Sequence, residues 1–231
     1  MNNPFRFFDK IYCINLKERT DRWESCLKNF EKYEISNYER IDAIKVNGHL
    51  PSKRKGQIGC SLSFAKCFDK IINEKISKVL IFEDDFEFKL EKKELFEKLN
   101  KSIFDLPDDW DSIYLGGTVI SDYGYLPLQK YTTNLYKLQS AHCLHSTGFS
   151  LNGVQKIINF FGNTENWHVN LINQYEAIDI FFAKNYQKET NSFITSELLC
   201  YQKINKSNIE DNIYDYSEWM NRNFNFFKNS I

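Results

Sequence analysis

The chain has 231 residues, 42% of them hydrophobic and 16% aromatic, which suffices for one domain with a large buried core. Its 30 Lys and Arg residues balance 31 Asp and Glu residues, so the net charge of -1 gives no field for binding nucleic acid or an anionic membrane surface. The sequence has neither a signal-peptide pattern nor about 18 consecutive apolar residues, and its six cysteines form no C-x-x-C pair. We therefore expect a soluble, cytoplasmic protein without an integral membrane segment and without a nucleic-acid partner.

The first half of the chain alternates predicted strands and helices. Apolar or β-rich runs typical of strands lie at residues 11–16, 38–44, 78–82 and 112–115. Apolar side chains recur at helical spacing after Thr20 or Asp21 and in residues 56–72 and 90–104. This alternation predicts an α/β fold with a mostly parallel central sheet flanked by helices on both faces.

After Gly117 the pattern changes. Residues 131–141 and 147–151 look like strands with no helix between them, and residues 193–201 like a late strand. Helices are expected at residues 152–161 and 177–183. The absence of a repeat or linker predicts one domain over residues 1–231.

Three successive acids follow the most apolar of these strands, in the run V-L-I-F-E-D-D-F-E-F at residues 79–88. Ligands of open α/β sheets bind at the carboxyl ends of the strands, where Glu83, Asp84 and Asp85 would lie. Such carboxylates can hold a divalent cation, which can neutralise the phosphates of a nucleotide. The alternative is a solvated strand end with capping carboxylates.

Several motifs together resemble glycosyltransferase family 25, which includes bacterial lipooligosaccharide galactosyltransferases and collagen hydroxylysine galactosyltransferases. They are the acidic run and, in order, I-Y-C-I-N-L-K-E-R-T-D-R (11–22), G-Q-I-G-C-S-L-S-F (56–64), W-D-S-I-Y-L-G-G (110–117), A-I-D-I-F-F (177–182) and Y-Q-K-I-N-K-S-N-I (201–209). Two positions depart from the family pattern, since Phe64 stands where the family usually has His and Asn208 where it usually has Asp. Phe64 removes a polar side chain near the expected donor pocket.

The resemblance implies a GT-A glycosyltransferase with a Rossmann-like nucleotide-sugar half at about residues 10–117, an acceptor half at about 118–210 and a tail at 211–231. It also implies a UDP-hexose donor carrying galactose or glucose, Mn²⁺ or Mg²⁺ as cofactor, and a glycan or glycoprotein acceptor, as in lipopolysaccharide biosynthesis. The cytoplasmic location could then be peripheral to a membrane.

The resemblance assigns the acids to donor binding. Asp85 should bind the metal, and Glu83 either the metal or the ribose. Asp84 should point the other way, toward the donor sugar hydroxyls, because side chains alternate along a strand.

The donor should also contact residues that follow the first two strands and open the second helix. Asn15 and Arg19 lie where base and ribose are expected, and Arg22 is either a pyrophosphate contact or a partner in a helix salt bridge. Asp42 is either a uracil or ribose contact or a turn cap. Gly59 and Ser61 are expected near a helix start, whose free N–H groups suit phosphate, although Ser61 could be a plain cap.

Asp179 matches the acid of the family's "VDxxL" segment and is the candidate catalytic base for an inverting transfer. Glu176, three residues earlier, is the reserve if the helix starts soon enough to place both on one face.

Some residues keep open alternatives. For His142 and His145 the alternatives are a structural role, contact with the acceptor and metal binding. For Trp167 and Tyr175 they are a place in the core and stacking on an acceptor sugar. Two other functions compete with transfer: a catalytically silent module that binds nucleotide sugar or glycan, and a nucleotidyltransferase. The latter normally needs a Gly-rich phosphate loop, which the run I-N-L-K-E-R-T lacks.

Overall fold

The computed structural model describes residues 2–203 and 216–230. After a short 3₁₀ turn at Pro4–Phe7, the first half contains β1 (Lys10–Asn15), α1 (Thr20–Lys32), β2 (Tyr38–Asp42), α2 (Ser52–Glu74), β3 (Lys78–Glu83), β4 (Phe86–Phe88), α3 (Lys92–Phe104) and β5 (Ser112–Tyr114). The predicted alternation of strands and helices is therefore confirmed for this half.

The second half begins with short strands, continues with helices, and then has two more strands before the last helix. Its elements are β6 (Thr118–Val119), β7 (Leu128–Lys130), β8 (Leu135–Leu138), β9 (Ala141–His142), β10 (Ser146–Ser150), α4 (Leu151–Phe160), α5 (Trp167–Gln174), α6 (Ile178–Phe181), α7 (Gln187–Glu189), β11 (Ser192–Thr195), β12 (Cys200–Gln202) and α8 (Tyr216–Lys228). The segment Phe182–Tyr186 between α6 and α7 is π-helical.

Within the described residues, eight strands form the central sheet in the order β2-β1-β3-β10-β5-β11-β8-β7. Strands β2, β1 and β3 are parallel neighbours, whereas β10 is antiparallel to both β3 and β5, and β8 to both β11 and β7. Most strands thus share one direction, as predicted, but the insertion of β10 and β8 makes the sheet mixed. The predicted α/β fold is confirmed.

Helices cover both faces of the sheet because the buried strands alternate their apolar side chains. Along β1, Tyr12 and Ile14 pack into one core with α2, α4, α5 and α6. Ile11 and Cys13 pack into the other core with α1 and α3. Burial on both sides explains why these strands are nearly continuous apolar runs.

Three predicted boundaries are wrong. Helix α2 begins at Ser52, one turn before the predicted residue 56, because the basic run S-K-R-K consists mainly of good helix formers and follows Pro51. The predicted strand 131–141 divides into β8 and β9, and the strand 193–201 into β11 and β12, which belong to different sheets. A period-2 pattern does not reveal where a chain passes from one sheet to another.

Among the helices of residues 2–203 and 216–230, none combines the length and apolar character that crossing a bilayer requires.

Candidate functional site

A cavity of about 740 Å³ opens at the carboxyl ends of β1, β2 and β3. This volume lies in the range typical of small-molecule sites. The register explains its position, because Asn15 pairs with Asp42 and Ile14 with Glu83, so the three strands end side by side. The lining residues come from these strand ends, the loops that follow and α2: Ile14, Leu16, Glu18, Arg19, Arg22, Ala43, Ile44, Lys45, Val46, Ser52, Lys55, Gly56, Gly59, Cys60, Ser63, Phe64, Glu83, Asp84 and Asp85.

One stripe of α2 forms a wall of the cavity, because its lining residues recur every three or four positions from Ser52 to Phe64. The expectation that Gly59 and Ser61 sit at a helix start is wrong, since α2 has already made two turns before Gly59. Their backbone N–H groups therefore lie in the helix interior. The Ser61 hydroxyl donates to the Gln57 carbonyl at 2.9 Å and faces its own helix.

Gly59 instead allows close packing. A Cβ atom at this position would lie 2.5 Å from the backbone oxygen of Ile44, in the loop that forms another wall. The loop is also attached to α2 by a 2.8 Å hydrogen bond from the Ile44 N–H to the Ser63 hydroxyl. Gly59 therefore sets the distance between two walls of the cavity.

The middle acid, Asp84, is held by two internal partners. Arg22 Nη1 lies 2.6 Å from Asp84 Oδ1, and the Asn15 amide donates to Asp84 Oδ2 at 2.6 Å. Arg22 also lies 3.4 Å from Asp85. The alternatives for Arg22 were a pyrophosphate contact and a salt bridge within its helix. The structure contains a salt bridge, but its acidic partner is Asp84 in the acidic run. A donor hydroxyl would have to share Asp84 with these two partners.

The outer acids, Glu83 and Asp85, carry charge that is poorly compensated. Burial, together with the negative charges of Asp85 and Asp179, raises the pKa of Glu83 well above its usual value. Burial raises the pKa of Asp85 to about 6 although Arg22 acts in the opposite direction. Asp85 Oδ1 is buried and has no hydrogen-bond partner within the described residues. The site thus favours protonation or the arrival of a cation.

These observations fit a hard divalent cation, which prefers carboxylate oxygens and would relieve the repulsion between the acids. Glu83 and Asp85 are the residues that would hold it. The part of the chain that the structure describes contains no ready-made group of three or more His, Cys, Asp or Glu side chains in a metal-binding arrangement. Further ligands would have to come from the substrate or from solvent.

Asn15, Arg19 and Asp42 occupy different environments around the cavity. Asn15 is buried and, besides binding Asp84, donates to the Arg19 carbonyl at 3.1 Å. Arg19 lines the cavity and forms an ion pair with Asp21 at 2.8 Å. Asp42 is exposed and lies 3.8 Å from Arg40. Asn15 therefore holds Asp84 and the Arg19 backbone in place without lining the cavity, whereas the Arg19 side chain can reach a ligand in it.

Asp179, the candidate base, acts electrostatically on Glu83 although the two residues are distant in sequence. It is the second residue of α6, and its Oδ2 accepts a hydrogen bond from the Cys143 N–H at 3.4 Å. Its charge is near enough to contribute to the raised pKa of Glu83 and of the Cys60 thiol. The fold thus places Asp179 within electrostatic reach of Glu83, although Asp179 does not line the cavity itself.

Glu176 does not share a helical face with Asp179, because α6 begins at Ile178. Glu176 is exposed, and its backbone carbonyl accepts a hydrogen bond from Arg54. The helix therefore does not start early enough to place the two acids on one face, which is the condition under which Glu176 is the reserve base.

The histidines and aromatic residues with open alternatives also have defined positions. His145 is fully buried next to the Cys200 carbonyl, and burial lowers its pKa to about 4. His142 is partly exposed and hydrogen-bonded to the Tyr123 hydroxyl at 3.3 Å. Trp167 is buried and donates to Asp69 at 2.8 Å, so it is a core residue. The Tyr175 hydroxyl accepts from Asn185 at 2.7 Å.

Sequence analysis missed Lys45, Lys55 and Cys60, which line the cavity. Lys55 lies in the first turn of α2, before the predicted helix start at residue 56, and belongs to the same stripe as Gly59 and Cys60. The Cys60 thiol lies 3.9 Å from the Glu83 carboxylate.

The C-terminal motif is described only in part. The Lys203 N–H donates to the Asp85 carbonyl at 2.7 Å, so the start of the motif lies against the acidic run. Asn208 and the rest of the motif, residues 204–209, lie outside the described residues.

The model of glycosyltransferase family 25 (LPS biosynthesis protein) matches residues 8–229. The chain therefore belongs to this glycosyltransferase family, and the resemblance based on its motifs is confirmed.

Three curated relatives illustrate the range of the family. Procollagen galactosyltransferase 2 of Mus musculus is 28% identical over 171 residues, which cover 65% of this chain and 27% of the relative. Putative glycosyltransferase R655 of Acanthamoeba polyphaga mimivirus is 32% identical over 154 residues, covering 60% and 45%. Inactive glycosyltransferase 25 family member 3 of Homo sapiens is 29% identical over 129 residues, covering 47% and 22%. The chain thus spans less than half the length of these relatives.

Among solved structures, a glycosyltransferase involved in the glycosylation of the major capsid of PBCV-1 aligns over 80% of this chain and 92% of its own, with a TM-score of 0.35 and 10% identity. A likeness this weak carries no argument about function.

Proposed function

We propose that this protein is a metal-dependent inverting glycosyltransferase that moves galactose or glucose from a UDP-sugar to a hydroxyl group of a glycan or glycoprotein. The observation that carries the proposal is the position of Glu83 and Asp85 in the wall of a cavity of about 740 Å³ at the ends of three neighbouring strands, with the charge of Asp179 acting on Glu83. Family membership supplies the reaction class.

The cavity suits a nucleotide diphosphate in both shape and charge. Arg19, Lys45 and Lys55 line it together with the outer acids, so cationic side chains stand where phosphate groups would bind, Arg19 and Lys45 in ion pairs with Asp21 and Glu18. Uracil and ribose would lie toward the ends of β1 and β2, where Asp42 is exposed and Ala43 forms part of the wall.

Glu83 and Asp85 would hold Mn²⁺ or Mg²⁺. When bound there, the cation would neutralise negative charge on the diphosphate. The raised pKa of both carboxyl groups supports this assignment, because each gains more from a nearby cation than a solvated acid would.

Asp179 would remove the proton from the acceptor hydroxyl. The acceptor oxygen then forms a bond to the anomeric carbon as the bond between that carbon and the diphosphate oxygen breaks. The electron pair of the broken bond leaves with UDP, and the proton stays on the Asp179 carboxyl group. A single displacement of this kind inverts the anomeric configuration. The hydrogen bond from the Cys143 N–H orients the Asp179 carboxylate.

The test is to incubate the protein with UDP-galactose, UDP-glucose and other UDP-hexoses in Mn²⁺ or in EDTA, with glycan and procollagen-peptide acceptors. We expect UDP release with one hexose donor in Mn²⁺ only, and a product whose anomeric proton, observed by NMR, has the configuration opposite to that of the donor. UDP release equal in EDTA and in Mn²⁺ would contradict the metal dependence, and a retained configuration would contradict the inverting mechanism.

A catalytically silent module that binds nucleotide sugar or glycan is the second candidate. Phe64 favours it, since this buried side chain lines the cavity at the position where the family motif usually carries His. The curated relatives also include a protein named as inactive. UDP binding in calorimetry without transfer to any acceptor would support this function instead.

A further inference from the structure

An aromatic loop lies next to the candidate base. Strands β6 and β9 pair through Thr118 and His142, and the loop that leaves β6 carries Tyr123 and Tyr125. Their ring centroids are 6.4 Å apart. The Tyr125 hydroxyl donates to the Ala183 carbonyl at 2.6 Å, which attaches the loop to the π-helical segment that follows α6.

The loop is connected to Asp179 by a short series of contacts. The Tyr123 hydroxyl is hydrogen-bonded to His142 Nε2 at 3.3 Å, and the next residue, Cys143, donates its N–H to Asp179. Thr118 Oγ1 lies 3.7 Å from the Cys143 thiol, which ties the start of the loop to the same turn. Burial and the charges of Asp122 and Asp179 raise the pKa of Tyr123, in agreement with this proximity.

The chemistry of the loop suits a sugar ring. A pyranose presents an apolar C–H face, which packs on aromatic rings, and an edge of hydroxyl groups, which needs hydrogen-bonding partners. Tyr123 is partly exposed, with the His142 imidazole at its hydroxyl and the Lys184 ammonium group 5.5 Å from its ring centroid. The buried Trp167 cannot offer such a face.

We propose that Tyr123 is the stacking platform of the acceptor site and that it selects a hexopyranoside, with His142 holding the phenol ring in place. A sugar on this ring would present a hydroxyl group toward Asp179, the base in the proposed function on which this inference rests. Acceptor and donor would then occupy separate sites, because Glu83 and Asp85 line the donor cavity and Tyr123 does not.

Direct binding provides the first test. Saturation-transfer NMR with methyl β-D-galactoside, methyl β-D-glucoside and methyl α-D-mannoside should detect binding of at least one of them to the wild type in the presence of UDP and Mn²⁺. Tyr123→Ala should weaken that binding at least about tenfold, which corresponds to ~1.4 kcal/mol. Tyr123→Phe should retain most of it, because the ring remains.

Leu126→Ala is the matched control, since this side chain is 63% exposed in the same loop and is not placed in the site. It should leave glycoside binding unchanged. Unaltered UDP affinity in Tyr123→Ala would show that the donor site remains folded. Binding of none of the glycosides, equal binding by Tyr123→Ala, or a matching loss in Leu126→Ala would overturn the inference.

Transfer kinetics separate this inference from the proposed function. With the best glycoside as acceptor, Tyr123→Ala should raise the acceptor KM about tenfold or more and leave the donor KM unchanged. If the wild type transfers sugar but Tyr123→Ala has the same acceptor KM, the inference is overturned and the proposed function stands. If glycoside binding depends on Tyr123 but no sugar is transferred, the inference stands and the proposed function fails. Transfer to a procollagen peptide but to no glycoside would also overturn the inference.

Discussion

The guanidinium group of Arg22 lies 2.6 Å from the carboxylate of Asp84, and both side chains are about nine-tenths buried. The ion pair joins the first helix to the end of β3 and neutralises the central one of three successive acids. Glu83, and Asp85 with its longer 3.4 Å contact to Arg22, are consequently the members of the run with more charge left to compensate. A ligand that carries a cation would therefore meet the outer acids, as the metal assignment requires.

Arg22→Met should lower the free energy of unfolding by ~3–5 kcal/mol, because it leaves Asp84 buried without its cationic partner. Arg19→Met is the matched control. Its ion pair with Asp21 lies at the surface, with side chains 21% and 65% exposed, so the loss should stay below about 1 kcal/mol. Urea denaturation at neutral pH measures both, and similar losses in the two variants would refute the structural role of Arg22. Arg19→Met should still weaken UDP binding, since Arg19 lines the cavity.

Metal dependence of UDP binding should disappear in Asp85→Ala. In the wild type, calorimetry should show tighter UDP binding in Mn²⁺ than in EDTA, because the cation links the diphosphate to the outer acids. Asp85→Ala should show the same weak affinity in both conditions. Asp42→Ala serves as the control for loss of a carboxylate at a neighbouring strand end, and its Mn²⁺ effect should persist. Equal wild-type affinity with and without Mn²⁺ would refute the metal site.

Asp85 should contribute stability to the metal-free protein that is lost as pH rises between about 4 and 6, whereas the buried His145, whose pKa burial lowers to about 4, contributes in the opposite direction over the same range. Comparison with a variant isolates the contribution of Asp85. Burial raises the pKa of Asp85 from 3.8 in its ordinary state to about 6, so the folded protein binds a proton in this range that the unfolded chain has released. Ionisation therefore costs stability above this range and nothing below it.

Asp85→Asn should remove that cost. The variant should be more stable than the wild type at pH 7.5, by on the order of 2 kcal/mol, and the difference should vanish near pH 3.5. Urea denaturation in EDTA across this pH range is the measurement. A variant less stable than the wild type at pH 7.5 would show that Asp85 ionises at no cost in the folded protein.

Asp179→Asn should reduce sugar transfer by ~10²- to 10⁴-fold, the usual value of general-base assistance, with UDP affinity nearly unchanged. The amide keeps the size of the carboxylate but cannot take a proton. Glu176→Gln is the internal control, because Glu176 is exposed and precedes α6. A large loss in Glu176→Gln with little change in Asp179→Asn would reassign the base.

Gly59→Ala should weaken UDP binding and destabilise the protein by ~1–3 kcal/mol, since the added methyl group would meet the Ile44 backbone oxygen at 2.5 Å and displace a cavity wall. Ser61→Ala, on the same helix, loses only a bond to its own turn and should change UDP affinity little. If Gly59→Ala bound UDP as the wild type does, close packing of α2 on the loop would not shape the donor site.

The sequence alone determined the elements that depend on local patterns. Apolar runs predicted β1 and β3, and helical spacing predicted α1 and most of α2. The acids after β3 predicted the edge of the sheet where the cavity opens. The alternation of strands with helices in the first half predicted a sheet covered on both faces. These features follow from neighbouring residues, whose periodicity is set by the geometry of a helix or strand.

Only the tertiary structure decided how distant residues meet. The insertion of β10 between β3 and β5 brings the preceding Cys143 toward the acids, and the Cys143 N–H binds Asp179, which follows Glu83 by about a hundred positions in the chain. Arg22 and Asp84 pair because parallel strands place their carboxyl ends side by side, and Gly59 is required by contact with Ile44 rather than by a helix start. Pairing between distant strands is set by the packing of the whole chain, and a local pattern carries no information about it.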